Sequence, residues 1–497
     1  MKNNILALAL VALGLGFTSC DSYLDINDNP NSPSDKVLDA SMIFPGAELN
    51  FANQYGCRLR IFGGYYAQYY TQLPGQSNYQ PLAGFTQTPS LSNSVYELLC
   101  IRSLNNLNIV RNISKNKQDW GSYLAATVLR VASYQVFVDT YGAIPYFEGM
   151  NVEITAPHYD EGEVVYPELV KELDDALALA SPADQVCTNF IFQGETAASW
   201  IKAANALKLR LLMRMSSVTD VKSQLADLVK EGNFPTKDAQ WSGFWQNTAG
   251  NTNPFYFEEF YPGRANNVCL NTALLRTYEE ANDARLGAWW SPNSSGNMQG
   301  WVSSATGITS ASQYYNSTAY SRPKIDYASP VYFITVAETE FFLAEYYQRI
   351  ANKTADAKAH YEAAVKASFV TAGLGELYAE SVLTAYPYTD ATAMKVIGIQ
   401  KWVHLSGTNP FEGYCELRRL KYPTFGDVQG TDIYNFTSDT YTPSKLPAGT
   451  LYTPIQVNPE VGANKLLQRW PFPSSSSSAN ANVPKFAGYT TPIFWAK

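Results

Sequence analysis

Histidine is almost missing from this chain: His158, His360 and His404 are the only three in 497 residues. With so few imidazoles, and with cysteines scattered singly, a zinc-type site has little to draw on. Charge is sparse as well. Asp, Glu, Lys and Arg make up 16% of the residues, the formal balance is −8, and there is no long basic run, which argues against nucleic acid and against adhesion to anionic lipid. Common catalytic signatures are absent: there is no H-E-x-x-H, no G-x-S-x-G, no Walker loop and no G-x-G-x-x-G after a strand. Beyond Cys20 the cysteines are Cys57, Cys100, Cys187, Cys269 and Cys415, an odd set with wide spacing and no C-x-x-C pair. They read as reduced, mostly buried thiols, since a chain this long needs no disulfide framework to fold. No stretch after the first twenty residues approaches the ~20 consecutive apolar residues that a membrane span needs.

The one clear apolar run is at the start. Met1 to Asn4 with a single Lys2, then Ile5 to Phe17, then Thr18 and Ser19 before Cys20, have the layout of a lipoprotein signal peptide. Residues 1–19 would be removed, and the Cys20 thiol would carry a lipid whose buried methylenes each contribute roughly 0.8 kcal/mol to membrane attachment. Residues 20–40 then form an extended tether rich in Asp, Asn, Ser and Pro. Asp25, Asn27 and Asn29 imitate the start of a calcium loop, but Pro30 stands where Gly is needed and Lys36 where the bidentate Glu belongs. No cofactor is expected, although a structural calcium ion elsewhere is compatible with the composition.

Apolar residues recur at helical spacing in four paired segments. Trp120 to Tyr141 pairs with Pro167 to Ala180, and Thr196 to Met215 with Asp220 to Glu231. Phe333 to Ile350 pairs with Ala355 to Phe369, and Ala391 to Leu405 with Pro410 to Leu420. In the third pair, Ala337, Glu340, Phe341, Ala344 and Tyr347, followed by Ala359, Tyr361, Ala363 and Ala364, alternate small and large residues at three and four residue spacing. This is the logic of tetratricopeptide-like hairpin stacking without a strict 34-residue period. The expected fold is therefore mainly α: an N-terminal helical half over 41–231 and the last two helix pairs over 331–421, with a large loop-rich insertion over 232–330 between them. An irregular segment, 422–497, follows. A structureless loop as long as the insertion is improbable in a compact domain, so it is read as folded.

Aromatics are abundant and uneven. Tyr 34, Phe 24 and Trp 10 make up 14% of the chain, and Trp241, Trp245, Trp289, Trp290 and Trp301 all fall in the insertion. Aromatic rings beside amides suit a polar, uncharged ligand such as a sugar, whose C–H faces pack on rings while its hydroxyls bond to amides. The candidate ligand residues are Tyr65, Tyr69, Gln72, Asn78 and Tyr79 in the first half and Trp289, Trp290, Trp301, Tyr314 and Tyr315 in the insertion. Adjacent Trp289 and Trp290 stand out, because two bulky neighbours in a loop are seldom both buried. Paired carboxylates for glycoside hydrolysis could come from Glu258, Glu259, Asp283 and Glu338. Acids on a helix such as Glu338, Glu340 and Glu345 more often belong to solvated faces, so the expectation is a binding protein without catalytic residues.

Several longer motifs then resemble the SusD/RagB outer-membrane lipoproteins of Bacteroidetes, in its SusD-like branch. They are the tether beginning Cys20-Asp-Ser-Tyr-Leu-Asp, Phe62-Gly-Gly-Tyr-Tyr-Ala-Gln-Tyr-Tyr, Val138-Asp-Thr-Tyr-Gly-Ala-Ile-Pro-Tyr, Ala337-Glu-Thr-Glu-Phe-Phe-Leu-Ala-Glu, Glu416-Leu-Arg-Arg-Leu-Lys-Tyr-Pro and Arg469-Trp-Pro-Phe-Pro. Trp470 departs from the family pattern, where a Tyr is frequent. The resemblance implies a surface-exposed lipoprotein that sits as a lid on a SusC-type TonB-dependent transporter in the outer membrane. It would bind a nutrient, an oligosaccharide or alternatively an oligopeptide, and pass it into the barrel. Asp21, Asp25 and Asp28 resemble the family's surface-export signal.

Overall fold

A computed structural model describes residues 38–497 except 152 and 265; the signal peptide, Cys20 and most of the tether fall outside the described residues. The architecture is helical. Ala40–Asn53 (α1) continues through a π-helical turn at Gln54–Leu59 into Arg60–Tyr66 (α2), and Asn105–Lys117 (α3) precedes the long buried Trp120–Tyr141 (α4). Then come Gly162–Leu179 (α5), Ala197–Met215 (α6) and Lys222–Glu231 (α7). After the insertion follow Val336–Arg349 (α8), Thr354–Thr371 (α9), Ala393–Gly407 (α10) and Pro410–Leu420 (α11).

Each helix of a pair packs on its partner, α4 against α5, α6 against α7, α8 against α9 and α10 against α11. Helices α4 and α6 also touch, as do α6 and α8, so the pairs form one stack. Caps explain several boundaries. Asp119 accepts from the Ser122 amide to start α4, and Gly142 at φ +86° ends it, where a left-handed residue closes the helix and a side chain would strike Arg469. Helix α5 begins five residues before Pro167, because Val165 and Tyr166 are buried along with the rest of its apolar stripe. Phe333 belongs to a strand, Val331–Ile334, and not to α8.

The Gly63-Gly64 pair does not interrupt α2. A Cβ on Gly63 would lie 2.5 Å from Phe411 Cα, and one on Gly64 2.2 Å from the Tyr70 ring, so Gly63 lets α2 press onto α11 and Gly64 makes room for Tyr70. Gly63→Ala should therefore lower stability by about 1–3 kcal/mol through overpacking against backbone, read as a lower urea midpoint. An unchanged midpoint would show that the two helices can part freely.

The insertion is folded and closed at its neck. Ala239–Trp241 pairs antiparallel with Val331–Ile334, so its two ends lie side by side. Within it, Thr272–Glu280 is a helix, and Trp290–Ser291 pairs with Arg322–Pro323. A further antiparallel pair, Tyr70–Gln72 with Val268–Leu270, stitches the insertion to the chain just after α2. The C-terminal segment is less irregular than expected: Thr450–Thr453 pairs in parallel with Thr424–Gln429, and Trp470 is wholly buried against Phe62, Tyr66, Tyr141 and Phe411. Its final turn brings Trp495 Nε1 to within 2.8 Å of Asp139 Oδ1. All five described cysteines are unpaired, and burial pushes the Cys57 and Cys100 thiols up to about 12.

Between the helix pairs runs a chain of buried charges. Arg210 on α6 forks onto Glu338 of α8 and reaches Glu412 of α11. Arg214, one turn on, bonds Asp139 of α4, Glu412 and Glu416. Lys401 of α10 meets Glu416 at 2.8 Å, and Arg419 joins Glu416 to Glu345. Glu338 and Glu345 are thus not on solvated faces. A single helix's pattern shows one acid among apolar residues and cannot show the arginine that another helix brings.

Candidate functional site

The pairing of Tyr70–Gln72 with Val268–Leu270 decides where a ligand could lie, because it holds the loop of residues 73–86 opposite the insertion. The loop turns at Gly75, φ +82°, above which the Tyr315 ring sits; Gly75 permits both that backbone and the ring's approach. Between loop and insertion are three neighbouring clefts. The middle one, about 210 Å³, is lined by Gln72, Gln76, Ser77 and Gln80 on one wall and Trp301, Ser304, Thr306 and Tyr315 on the other. It shares Leu73 and Gln76 with a second cleft of about 460 Å³ that continues to Asn266, Asn293, Tyr320 and Arg322. On its other side it shares Ser77, Gln80, Ser304 and Thr306 with a third of about 510 Å³ that ends at Gln456. The three form one groove along the loop, and no Asp or Glu lines any of them.

Gln72 is the polar anchor of the middle cleft. Its Oε1 accepts from the Tyr79 amide at 2.9 Å and from the Tyr65 hydroxyl at 3.4 Å, whereas its buried Nε2 has no partner. A buried amide donor left unmet costs about 1–3 kcal/mol, so the cleft holds an unmet demand for an acceptor oxygen. Beneath the floor lies a ring cluster: Trp301 packs on Tyr314, Tyr320, Tyr434 and Tyr441 at centroid distances of 5.8, 5.2, 4.9 and 5.2 Å. Tyr315, 36% exposed, stands at the rim.

Of the ligand residues predicted from sequence, the fold brings Gln72 and Tyr315 to this groove, and Trp301 borders it from beneath at 1% exposure, as a support of the floor and not an open ligand ring. Tyr314 backs it from the second layer, and Tyr79 lies under the loop with its hydroxyl donating to Glu258 at 3.1 Å. Asn78 is exposed and lines no part of it. Tyr65 and Tyr69 are wholly buried, correcting their reading as ligand rings: Tyr69 fills the gap beside Gly413 and packs on Trp402 at 5.1 Å. Trp290 is corrected likewise, while Trp289 is half-buried, as expected for one of two adjacent rings, and lines no part of the groove. Trp290 is 1% exposed against Tyr70, and Trp289 lies over Gly407 and His404, so Trp289 anchors the insertion on α10 and Trp290 anchors it on the strand after α2. Helix α10 supplies a glycine where the half-buried Trp289 ring lands.

Gln76, Gln80, Ser304, Thr306 and Arg322 escaped the sequence reading. Their only signal is polar density in two segments far apart in the chain, and nothing local says that those segments meet. The acids considered for catalysis are engaged elsewhere: Glu258 pairs with Arg58 at 3.0 Å, Glu259 binds Asn267, Asp283 pairs with Arg285 and Glu338 with Arg210. Among the described residues no three His, Cys, Asp or Glu side chains converge as a metal site.

Comparison with known proteins agrees with this architecture. The model of the SusD-like_2 family, described as "Starch-binding associating with outer membrane", matches residues 30–447. The chain belongs to that family. A SusD homolog from Bacteroides uniformis superposes on the SusD-like chain with a TM-score of 0.71 at 20% identity, covering 92% of this chain and 98% of that one. A SusD-like protein from Bacteroides thetaiotaomicron gives 0.70 at 20% identity, with 92% and 98% covered. A chitin-binding protein gives 0.70 at 17%, with 91% and 99% covered. At such identities these likenesses concern the fold, a helical scaffold of the tetratricopeptide-like kind. No curated protein sequence matches the chain. Among the described residues no helix is long and apolar enough to cross a membrane.

Among the described residues, family motifs of this SusD-like chain turn out to be scaffold. Asp139 of the Asp-Thr-Tyr-Gly motif takes Arg214, while Tyr146 at its end donates to Glu172. The Ala337 and Glu416 motifs supply Glu338, Glu345, Glu416 and Arg419 to the buried charge chain.

Proposed function

We propose that this chain is a non-catalytic, lipid-anchored protein of the outer membrane that captures an oligosaccharide at the cell surface and delivers it to a SusC-type TonB-dependent transporter. The observation that carries the reading is the groove, walled by amides and hydroxyls over an aromatic floor and free of carboxylates. Hydroxyl-rich rings suit such a lining, since Gln72 Nε2, Gln76, Gln80 and the Ser304 and Thr306 hydroxyls offer donors and acceptors on opposite walls while Tyr315 offers an apolar face. Glycoside hydrolysis needs two carboxylates facing the sugar, and the groove supplies none. Cys20 would hold the protein on the membrane through its lipid, and the family's association with the outer membrane supports that place.

Isothermal titration of the full mature protein against a glycan panel and a peptide mixture tests this. Saturable heat with an oligosaccharide is expected, and Tyr315→Ala should weaken it by roughly ten-fold, the worth of one stacking ring. Heat with peptides and none with any sugar would overturn the ligand class. Failure to copurify with a β-barrel transporter from the native membrane would overturn the delivery role.

A further inference from the structure

The cleft of the groove that continues to Asn266 and Arg322 has a charge that its neighbours do not balance. Arg322 and Arg264 both line it, together with Asn266 and Tyr320. Arg322 comes from the short strand paired with Trp290–Ser291, so its backbone is fixed by the insertion's own ladder. Its guanidinium lies over the Phe260 ring, 4.9 Å from the centroid, which orients the fork but satisfies none of its N–H groups. Nε and Nη2 are both buried without a hydrogen-bond partner, and Asn266 Oδ1 beside them is unpartnered too. Arg210, Arg214 and Arg285 each meet carboxylates, and Arg60 and Arg418, which lack one, donate to backbone carbonyls; Arg322 Nε and Nη2 have neither.

Glu259, the acid whose field reaches Arg322, spends its oxygens on the Asn267 backbone and side-chain amides at 2.8 and 3.1 Å. Burial also pushes its carboxyl up from the ordinary range, which reduces the countercharge it can offer. The cleft therefore has two cations, an oriented pair of free donors and no lining acid. A guanidinium edge with adjacent Nε and Nη donors matches the two oxygens of a planar carboxylate. A neutral hydroxyl would meet one donor and leave the charge unanswered.

We propose that this cleft takes the carboxylate of an acidic sugar, so that the captured glycan carries uronate residues. The inference rests on the groove being the glycan site. It places the acidic ring between Arg322 and Arg264, with the following rings running past Gln76 toward Tyr315.

The test is isothermal titration of the full mature protein with three probes: oligogalacturonate, its methyl ester, and a neutral malto-oligosaccharide. Oligogalacturonate should bind at least ten-fold more tightly than its ester, and the advantage should shrink as salt rises. Arg322→Gln should cut oligogalacturonate affinity by roughly ten- to hundred-fold, the range for a charged bidentate contact, and lower the ester's affinity several-fold less than the acid's. Arg264→Gln, at an exposed position, should have a smaller effect of the same sign and serves if the Arg322 variant fails to fold. Equal binding of acid and ester, insensitive to both variants, would overturn the proposal and leave the groove reading intact. Preference for a sulfated glycan over the uronate, or for peptides through their C-terminal carboxylate, would overturn it as well. No binding of any saccharide, with Tyr315→Ala silent, would sink the groove reading itself.

Discussion

Arg214→Met is expected to lower the stability of the protein by about 3–5 kcal/mol, because it removes the cation shared by three buried carboxylates and leaves them facing one another. Asp139 and Glu412 are both wholly buried, and Glu416 lies 3.3 Å from Arg214 Nε. The methionine fills most of the volume, so little of the loss comes from packing. The three acids sit on α4 and α11, and Arg214 on α6, so the variant attacks the joint between helix pairs and not any one helix. Urea denaturation followed by near-ultraviolet and far-ultraviolet signals should show both transitions moving together to lower urea. A loss under about 1 kcal/mol would mean that Arg210 or water takes over the charge. In a double-mutant cycle Arg214→Met with Glu412→Gln should be less destabilising than the sum, since the second change removes one of the stranded charges.

Acid should unfold the protein through the same joint. Burial alone would raise the Glu412 carboxyl, but the Arg210 and Arg214 guanidiniums outweigh it and hold its pKa down to about 2. Glu416 and Glu345 are likewise pushed up by burial and pulled below their ordinary value, chiefly by Arg419. A carboxyl with a depressed native pKa binds its proton more weakly than the unfolded chain does. Its stabilisation is complete above the unfolded value near 4.5 and is lost as pH falls from there toward 2. For Glu412 the whole loss is about 3 kcal/mol. Asp139 and Glu338 shift the other way, because burial outweighs the attraction of Arg214 and Arg210 respectively. They relieve strain as they protonate, so stability should hold or rise slightly on mild acidification and then fall steeply below pH 4.5. Melting temperature against pH checks this. A flat profile from pH 5 to 2.5 would contradict the ionised state assigned to Glu412.

The same charge chain bears on function through rigidity. It holds α6, α8, α10 and α11 together, and α11 carries the surface on which α2 rests through Gly63. The strand that follows α2, Tyr70–Gln72, leads directly into the loop that forms one wall of the groove. Buried ion pairs contribute little net stability compared with apolar packing, but each demands a particular partner. A slipped register of one helix would strand several charges at once, and the position of the groove wall follows from that register.

How much of this was legible beforehand differs by level. Helices α4 and α11 fall where the apolar period and their capping residues place them, Trp120–Tyr141 and Pro410–Leu420, since the signal is local: Asp119 and Gly142 bracket one, Asn409 and Pro410 open the other. Small and large residues in α8 and α9 likewise announced a close-packed hairpin, and Ala337, Phe341, Ala344, Tyr361 and Ala364 are buried together. The aromatics were misjudged for a physical reason. A tyrosine or tryptophan serves equally as core or as ligand platform, and its own neighbours in sequence do not distinguish the two. Tyr69 is core because Gly413 on α11 makes room for it, and Trp289 packs on the core's edge because Gly407 on α10 does, each from a helix more than a hundred positions away.

The sequence by itself determined the helical scaffold and its pairing, because hydrophobic period, caps and breaker residues act within a few turns of the chain. It also determined the family, through motifs spread over most of the length. Only the tertiary structure decided which rings are buried, which acids are neutralised and where Gln72, Tyr315 and Arg322 come to line one groove. Those outcomes depend on long-range pairs such as Tyr70 with Leu270 and Trp241 with Val331, whose partners no local pattern specifies.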